Sequence, residues 1–352
     1  MNTIFICDCQ YENLGDLIIN KLLVDEFAKY GTVYIDTYNV PENFKAPLLE
    51  GQNLIDLYSN YRITLKNKYK LPKAFIFCLL NRISCIVLSP GPYSIRKERY
   101  FNLPTIRYYL LHSIGIKTLH IGKCCSNYIY NDFEFNNPLA DIMYLRSEQS
   151  VNHAKKTIKK IPVKYIPDIC FLLRKRINPS KKNKSIIIDV RAIDNNNSLF
   201  NQCKYISKHM LDKEYKVILY YQVESDYVNV KKLYDYIDDS RIEIREEIVW
   251  YNNMSFYEDK QIVISNRLHS LLIGAAYGAY PLCLFENTPL TAKLKHVISS
   301  SFRDLPILLD NNQNPDIEEL CRKNLDRMEC KFLSNSNQCQ SIIKNIVDSI
   351  VC

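Results

Sequence analysis

Short apolar runs rich in Ile, Val and Tyr alternate with segments of helical spacing from one end of the chain to the other. That alternation predicts parallel sheets covered by helices. In the first half the runs predict strands at Thr3 to Cys7, Thr32 to Thr37, Ser84 to Ser89, Lys117 to Gly122, Ile142 to Leu145 and Val163 to Ile166. Leu17 to Lys29 predicts a helix, because Ile19, Leu22, Leu23 and Phe27 share one face. A second helix should start at the cap Ser147 and run to Lys159. In the second half strands are expected at Ser185 to Val190, Lys216 to Tyr221, Ile242 to Ile244, Gln261 to Ser265 and Pro281 to Phe285. Helices are expected near Leu199 to Leu211, Ser225 to Ile237 and Leu268 to Tyr277, with two more, Pro315 to Phe332 and Cys339 to Val351, closing the chain. No repeat of solenoid length interrupts the rhythm.

Between the halves, Arg174 to Ser185 is charged, polar and almost without apolar residues, which marks it as a domain boundary. The expected fold class is therefore α/β, with two doubly wound Rossmann-like domains, 1–175 and 176–352, facing a cleft. A chain of 352 residues has length enough for both. Ligands of such folds sit at the carboxyl ends of the strands. Composition supports a globular chain, with 47% hydrophobic and 24% charged residues and only 8 Gly and 14 Pro.

Charge adds a local feature. The formal balance is 46 basic to 38 acidic residues, and Arg174, Lys175, Arg176, Lys181, Lys182 and Lys184 sit together without an acid. Without those six the balance is 40 to 38, which does not suggest the broad basic face that duplex nucleic acid needs, so nucleic acid is not an expected partner. The patch reads as a solvated linker or, more sharply, as a peripheral contact with the anionic inner surface of a membrane. The thirteen cysteines contain no C-x-x-C pair, so neither a metal site nor a disulfide framework is expected, and a reducing cytosol fits. The opening residues lack the basic start of a signal peptide and meet Asp8 early. The apolar stretches Phe75 to Leu88 and Ile262 to Phe285 are broken by Asn81-Arg82 and by Asn266-Arg267 with His269. Neither reads as a membrane span, and a soluble, cytoplasmic protein is expected.

Three places carry candidate chemistry. Asn13-Leu14-Gly15-Asp16 follows the first strand and opens the first helix, where backbone amides and a carboxylate meet a strand end, although a turn glycine and a capping aspartate would look the same. Ser265 to Ser270 (SNRLHS) places Arg267 and His269 at the start of an otherwise apolar helix. Their donors would join the helix amides there in holding a phosphate or carboxylate. Arg146 follows another strand end, as a second anion ligand or as a surface arginine beside Glu148.

These residues resemble the polysaccharide pyruvyl transferase family. Asn13 to Asp16 is similar to its N-x-G-D motif, RSEQS (Arg146 to Ser150) to its R-[DS]-x-x-S, and IPDICF (Ile166 to Phe171) to its D-x-x-F strand end. SNRLHSLLIGAAYGAYPLCLF (Ser265 to Phe285) matches its R-L-H, small apolar helix and following strand. The resemblance implies a GT-B-like fold and transfer of a pyruvyl group from phosphoenolpyruvate to a sugar of a cell-surface glycan or its lipid-linked precursor. It places the acceptor on the N-terminal domain and phosphoenolpyruvate on the C-terminal one. Asn13, Gly15, Arg146, Arg267, Leu268 and a lysine, Lys293 or alternatively Lys295, become donor- and substrate-binding residues, His269 the general acid and Asp16 the group that handles an acceptor hydroxyl. Phosphoenolpyruvate is then a substrate, with no cofactor and no metal. Acceptor contacts are expected from residues 38–75 and 90–104, which depart most from the α/β rhythm. Two rivals share the fold: a GT-B glycosyltransferase using a nucleotide sugar, and a scaffold without catalysis.

Overall fold

The structure, a computed structural model, describes residues 1–92, 103–124, 139–159, 161–174, 182–191, 197–285, 289–310 and 316–351. The chain divides into two compact units, one of Met1–Tyr11, Asp16–Ile169 and Asn337–Cys352, the other of Glu12–Gly15 and Cys170–Ser336.

In chain order the first half runs β1 (Asn2–Ile6), α1 (Leu14–Ala28), β2 (Val33–Asp36), α2 (Glu42–Leu49), β3 (Leu54–Asp56), α3 (Leu57–Tyr61), α4 (Leu71–Leu80), β4 (Ile83–Leu88), β5 (Gly91–Pro92), α5 (Leu103–His112), β6 (Lys117–Cys124), β7 (Ile142–Leu145), α6 (Glu148–Thr157) and β8 (Val163–Tyr165). Its sheet has the order β3-β2-β1-β4-β6-β7-β8, with β5 beside β6. The second half runs β9 (Ser185–Asp189), α7 (Asn197–Asp212), β10 (Lys216–Leu219), α8 (Tyr227–Ile237), β11 (Glu243–Ile244), β12 (Ile262–Ser265), α9 (Leu268–Ala276), β13 (Tyr280–Phe285), α10 (Pro289–Ser301), β14 (Leu308–Asp310) and α11 (Ile317–Val351). The order of its sheet is β11-β10-β9-β12-β13-β14.

The neighbouring strands pair in parallel. Parallel strands are covered on both faces, which is why β9 and β12 are buried along their whole length. In both sheets the order reverses once, between β1 and β4 and between β9 and β12. At such a switch point the connections leave to opposite sides and open a crevice beyond the strand ends. Ser265, the last residue of β12, lies opposite Asp189, the last of β9. Gly274 lets α9 lie down on β12, since a Cβ there would stand 2.5 Å from Val263 Cγ1 and 2.9 Å from its Cβ.

The apolar stretch from Phe75 divides at Asn81-Arg82 into α4 and β4, with Arg82 in the left-handed region at φ 48°. The short strands β3, β5 and β14 are additional to those expected from the pattern. Few apolar residues mark them, and they sit beside strands that already template the pairing. At the C-terminus one helix, α11, replaces the two expected. The polar run Ser334 to Asn337 looks like a break because Ser and Asn compete for backbone bonds. Here Asn335 Nδ2 donates to the Ser301 carbonyl at 2.8 Å and Arg174 Nε donates to Ser336 Oγ at 2.7 Å, so both side chains are buried with partners and the helix continues.

Candidate active site at the switch points

In the second unit, the turn between β12 and α9 carries Arg267, Leu268 and His269. Its shape is fixed by side chains bonding to backbone. Ser265 Oγ accepts from the Arg267 amide at 2.8 Å. Asn266 grips the chain just past β9 with both ends of its amide, its Oδ1 accepting from Arg191 N at 2.7 Å and its Nδ2 donating to Arg191 O at 2.8 Å. This ties the two strand ends flanking the switch point together. Arg267 occupies the N-cap position of α9 with extended backbone, so its side chain leaves the helix start beside the free amides of the first turn.

Arg267 Nε forms an ion pair with Asp226, which is 3% exposed just before α8. With the Asp226 carboxylate against Nε, the two terminal nitrogens, which no described residue bonds, face an anion in the forked geometry that suits carboxylate and phosphate. Beneath them Asp189 is fully buried, and burial, reinforced by Asp226, pushes its carboxyl up to about 7, although Arg267, Ser270 and Ser265 work in the opposite direction. Ser270 Oγ donates to Asp189 Oδ2 and lies 3.0 Å from Gln222 Oε1. Gln222 in turn donates to Tyr257, which lies 3.1 Å from the Tyr220 hydroxyl.

His269 is half-buried on the first turn of α9. Gly15, grouped with this unit, lies against it so closely that a Cβ on Gly15 would overlap Nδ1, Cβ and Cγ of the imidazole. The glycine is thus needed for space beside the histidine. Asn13 Oδ1 accepts from the Gly15 amide at 2.9 Å, closing the turn that starts α1. On α10, Lys293 is half-buried and Lys295 is exposed with its ammonium 4.6 Å from the centre of the Phe285 ring. Two residues apart on a helix, they point to nearly opposite sides.

In the first unit, Asp16 lies in the first turn of α1, where its Oδ2 accepts from the Gln10 amide at 3.3 Å. It too stands at a switch point, since the loop after β1 is joined to the end of β4 by the Asp8 amide donating to Ser89 Oγ at 2.8 Å. Arg146, at the end of β7, is buried rather than a surface side chain, and pairs with Asp168 at 2.7 Å. Burial opposes its charge, and Asp168 together with Cys124 more than compensates, raising its pKa above the usual guanidinium value. Ser147 caps α6 by accepting from the Ser150 amide at 3.1 Å, and the two hydroxyls bond at 2.7 Å. The arginine and the aspartate of two separate sequence motifs are therefore one ion pair, which spacing along the chain did not reveal. In the second unit Phe171 of the D-x-x-F segment packs against Phe302 and Phe332.

The model of the polysaccharide pyruvyl transferase family matches residues 13–284. The chain belongs to this family. The match opens at Asn13, includes Asp16, Arg146, Asp168, Arg267 and His269, and ends within β13, so both candidate lysines lie beyond it. No curated protein matches the sequence significantly. Among solved structures, a glycosyltransferase from Rickettsia africae aligns with a TM-score of 0.59 at 14% identity, over 99% of this chain and 98% of its own. HepE from Anabaena, solved with UDP-glucose, aligns with a TM-score of 0.58 at 10% identity, over 99% and 98%. The UDP-GlcNAc 2-epimerase of Methanocaldococcus jannaschii gives 0.56 at 11% identity, over 99% of both chains. The fold is accordingly that of GT-B enzymes, two Rossmann-like domains. Asp189, Asp226 and Gln222 were not singled out from sequence, and Ser270 only as the end of the SNRLHS segment. The one available signal was Asp189 itself, an acid ending the apolar run Ile186 to Ile188.

Proposed function

We propose that this family member transfers the pyruvyl group of phosphoenolpyruvate to two hydroxyls of a sugar in a glycan or a lipid-linked precursor, forming a ketal. The observation that supports this most directly is Arg267, oriented by Asp226 and followed by His269, at the switch point of the second sheet within the family's matched segment. Phosphoenolpyruvate brings a phosphate and a carboxylate, which call for fixed cations. Arg267, Arg146 and Lys293 are the residues assigned to them, with Leu268, Asn13 and Gly15 shaping the surroundings. Protonation of the vinyl CH2 by His269 produces the methyl group and leaves C2 electrophilic. One sugar oxygen adds to C2, the second displaces phosphate, and the two hydroxyl protons end on the methyl carbon and the phosphate. Asp16 is assigned to the acceptor hydroxyl, which it orients or deprotonates. No metal or cofactor is assigned a role.

The nucleotide-sugar ligand of the HepE structure favours a second reading, in which a sugar diphosphate occupies the arginine site. Titration calorimetry separates the two. Saturable binding of phosphoenolpyruvate, weakened at least tenfold by Arg267→Ala, is expected. Binding of UDP- or GDP-sugars in its place would move the protein to glycosyl transfer.

A further inference from the structure

The outward face of α4 has the wrong polarity for water. Leu71, Ala74, Phe77 and Cys78 point into the core, which leaves Pro72, Lys73, Ile76, Leu79 and Leu80 on the opposite face. Ile76 is 56%, Leu79 52% and Leu80 78% exposed, and Tyr69, just ahead of the helix, is 83% exposed. On α5, which packs beside α4, Ile106 and Tyr109 are exposed as well. With Tyr61 these are seven of the twelve large apolar side chains exposed among the described residues. Scattered exposed apolar residues are ordinary, whereas a contiguous group marks an interaction surface.

The charge around this surface is one-sided. Among the described residues from Leu57 to Cys124 there are nine basic residues and no acid, and all of the nine except Lys123 escape full burial. The positive excess is therefore not confined to residues 174–184. Of that segment, Lys175, Arg176 and Lys181 lie outside the described residues, Arg174 bonds Ser336, and Lys182, which donates to the carbonyls of Lys260 and Tyr277, has its pKa lowered to about 8 by burial. Lys184 is exposed but stands 3.8 Å from Glu318. By contrast Arg62, Lys68, Lys73 and Arg82 are exposed around α4.

We propose that α4, its lead-in and the neighbouring face of α5 form a docking surface for an anionic membrane. A helix of ten residues is too short to cross a bilayer. Lying in the interface, it would place Ile76, Leu79 and Leu80 at the acyl boundary while the flanking lysines and arginines reach the headgroups. Charge complementarity selects this occupant. A second copy docking isologously would set two strongly positive surfaces against each other. Nucleic acid would gain little from aliphatic side chains, because its bases stack on aromatic or guanidinium planes.

The proposal does not depend on the donor, and vesicle sedimentation of the intact protein tests it alone. Binding to vesicles containing phosphatidylglycerol is expected to exceed binding to pure phosphatidylcholine at least tenfold and to weaken as salt is raised. Leu79→Gln with Leu80→Gln, both exposed and so without effect on thermal stability, is expected to reduce it tenfold or more, and Lys68→Glu with Lys73→Glu likewise. Equal binding to both vesicle types, unchanged binding by either variant, or self-association that the glutamine variant abolishes would overturn the proposal. So would RNA binding that competes with vesicles.

Discussion

A single buried carboxyl sets the character of the second unit's switch point. Asp189 keeps its proton to about pH 7 in the folded protein, while an unfolded aspartate releases it near pH 4. Between those values the folded state binds the extra proton, so unfolding releases it and this group's contribution to stability falls as pH rises. The stability of Asp189→Asn relative to wild type, measured by chemical denaturation at pH 4 and pH 7, is expected to increase with pH by roughly 3 kcal/mol. This is a little under the full value of about 1.4 kcal/mol per pKa unit, because the unfolded carboxyl at pH 4 and the folded one at pH 7 are each about half ionised. A constant difference across that range would show that Asp189 is ionised throughout. The neutral acid also has a consequence for Arg267. With Asp189 uncharged the guanidinium faces one carboxylate, Asp226, and retains attraction for a ligand. The arginine and the histidine were legible as residue types at a strand end, whereas the two aspartates were not, because each is brought to Arg267 by a different strand connection.

At the scale of elements, the turn bearing Arg267 and His269 is positioned by how closely α9 packs on β12. Alanine in a helix usually gains up to about 1 kcal/mol over glycine. At Gly274 the added Cβ would overlap Val263, and overpacking of this kind costs roughly 1 to 3 kcal/mol. Gly274→Ala is therefore expected to destabilise the protein, and Val263→Ala in the same chain to recover part of the loss, a coupling that a double-mutant cycle in urea detects. Additive effects would mean that the helix moves away from the strand. Most strands were legible because buried parallel strands are continuous apolar runs. The join within α11 was not, since the bonds that satisfy Asn335 and Ser336 come from Ser301 and Arg174, both remote in sequence.

For the whole molecule, a donor that binds only the folded state raises its unfolding temperature by linkage, with a stabilisation of about 2.7 kcal/mol at a hundredfold excess over Kd. Phosphoenolpyruvate is expected to give such a shift in scanning calorimetry, and Arg267→Ala to lose it. A shift of equal size in the variant would place the anion elsewhere. The sequence by itself determined the alternation of strand and helix and hence the α/β class, because side-chain periodicity follows local backbone geometry. It also placed Asp16, Arg146 and His269 at element ends, and their motif order carried the family. Only the tertiary structure decided that Arg146 pairs with Asp168, that Gly15 makes room for His269, and that α4 turns an apolar face outward in a basic, nearly acid-free stretch. Each of these depends on which strands become neighbours and which side of a helix meets the sheet, and a linear pattern of polar and apolar residues does not encode that choice.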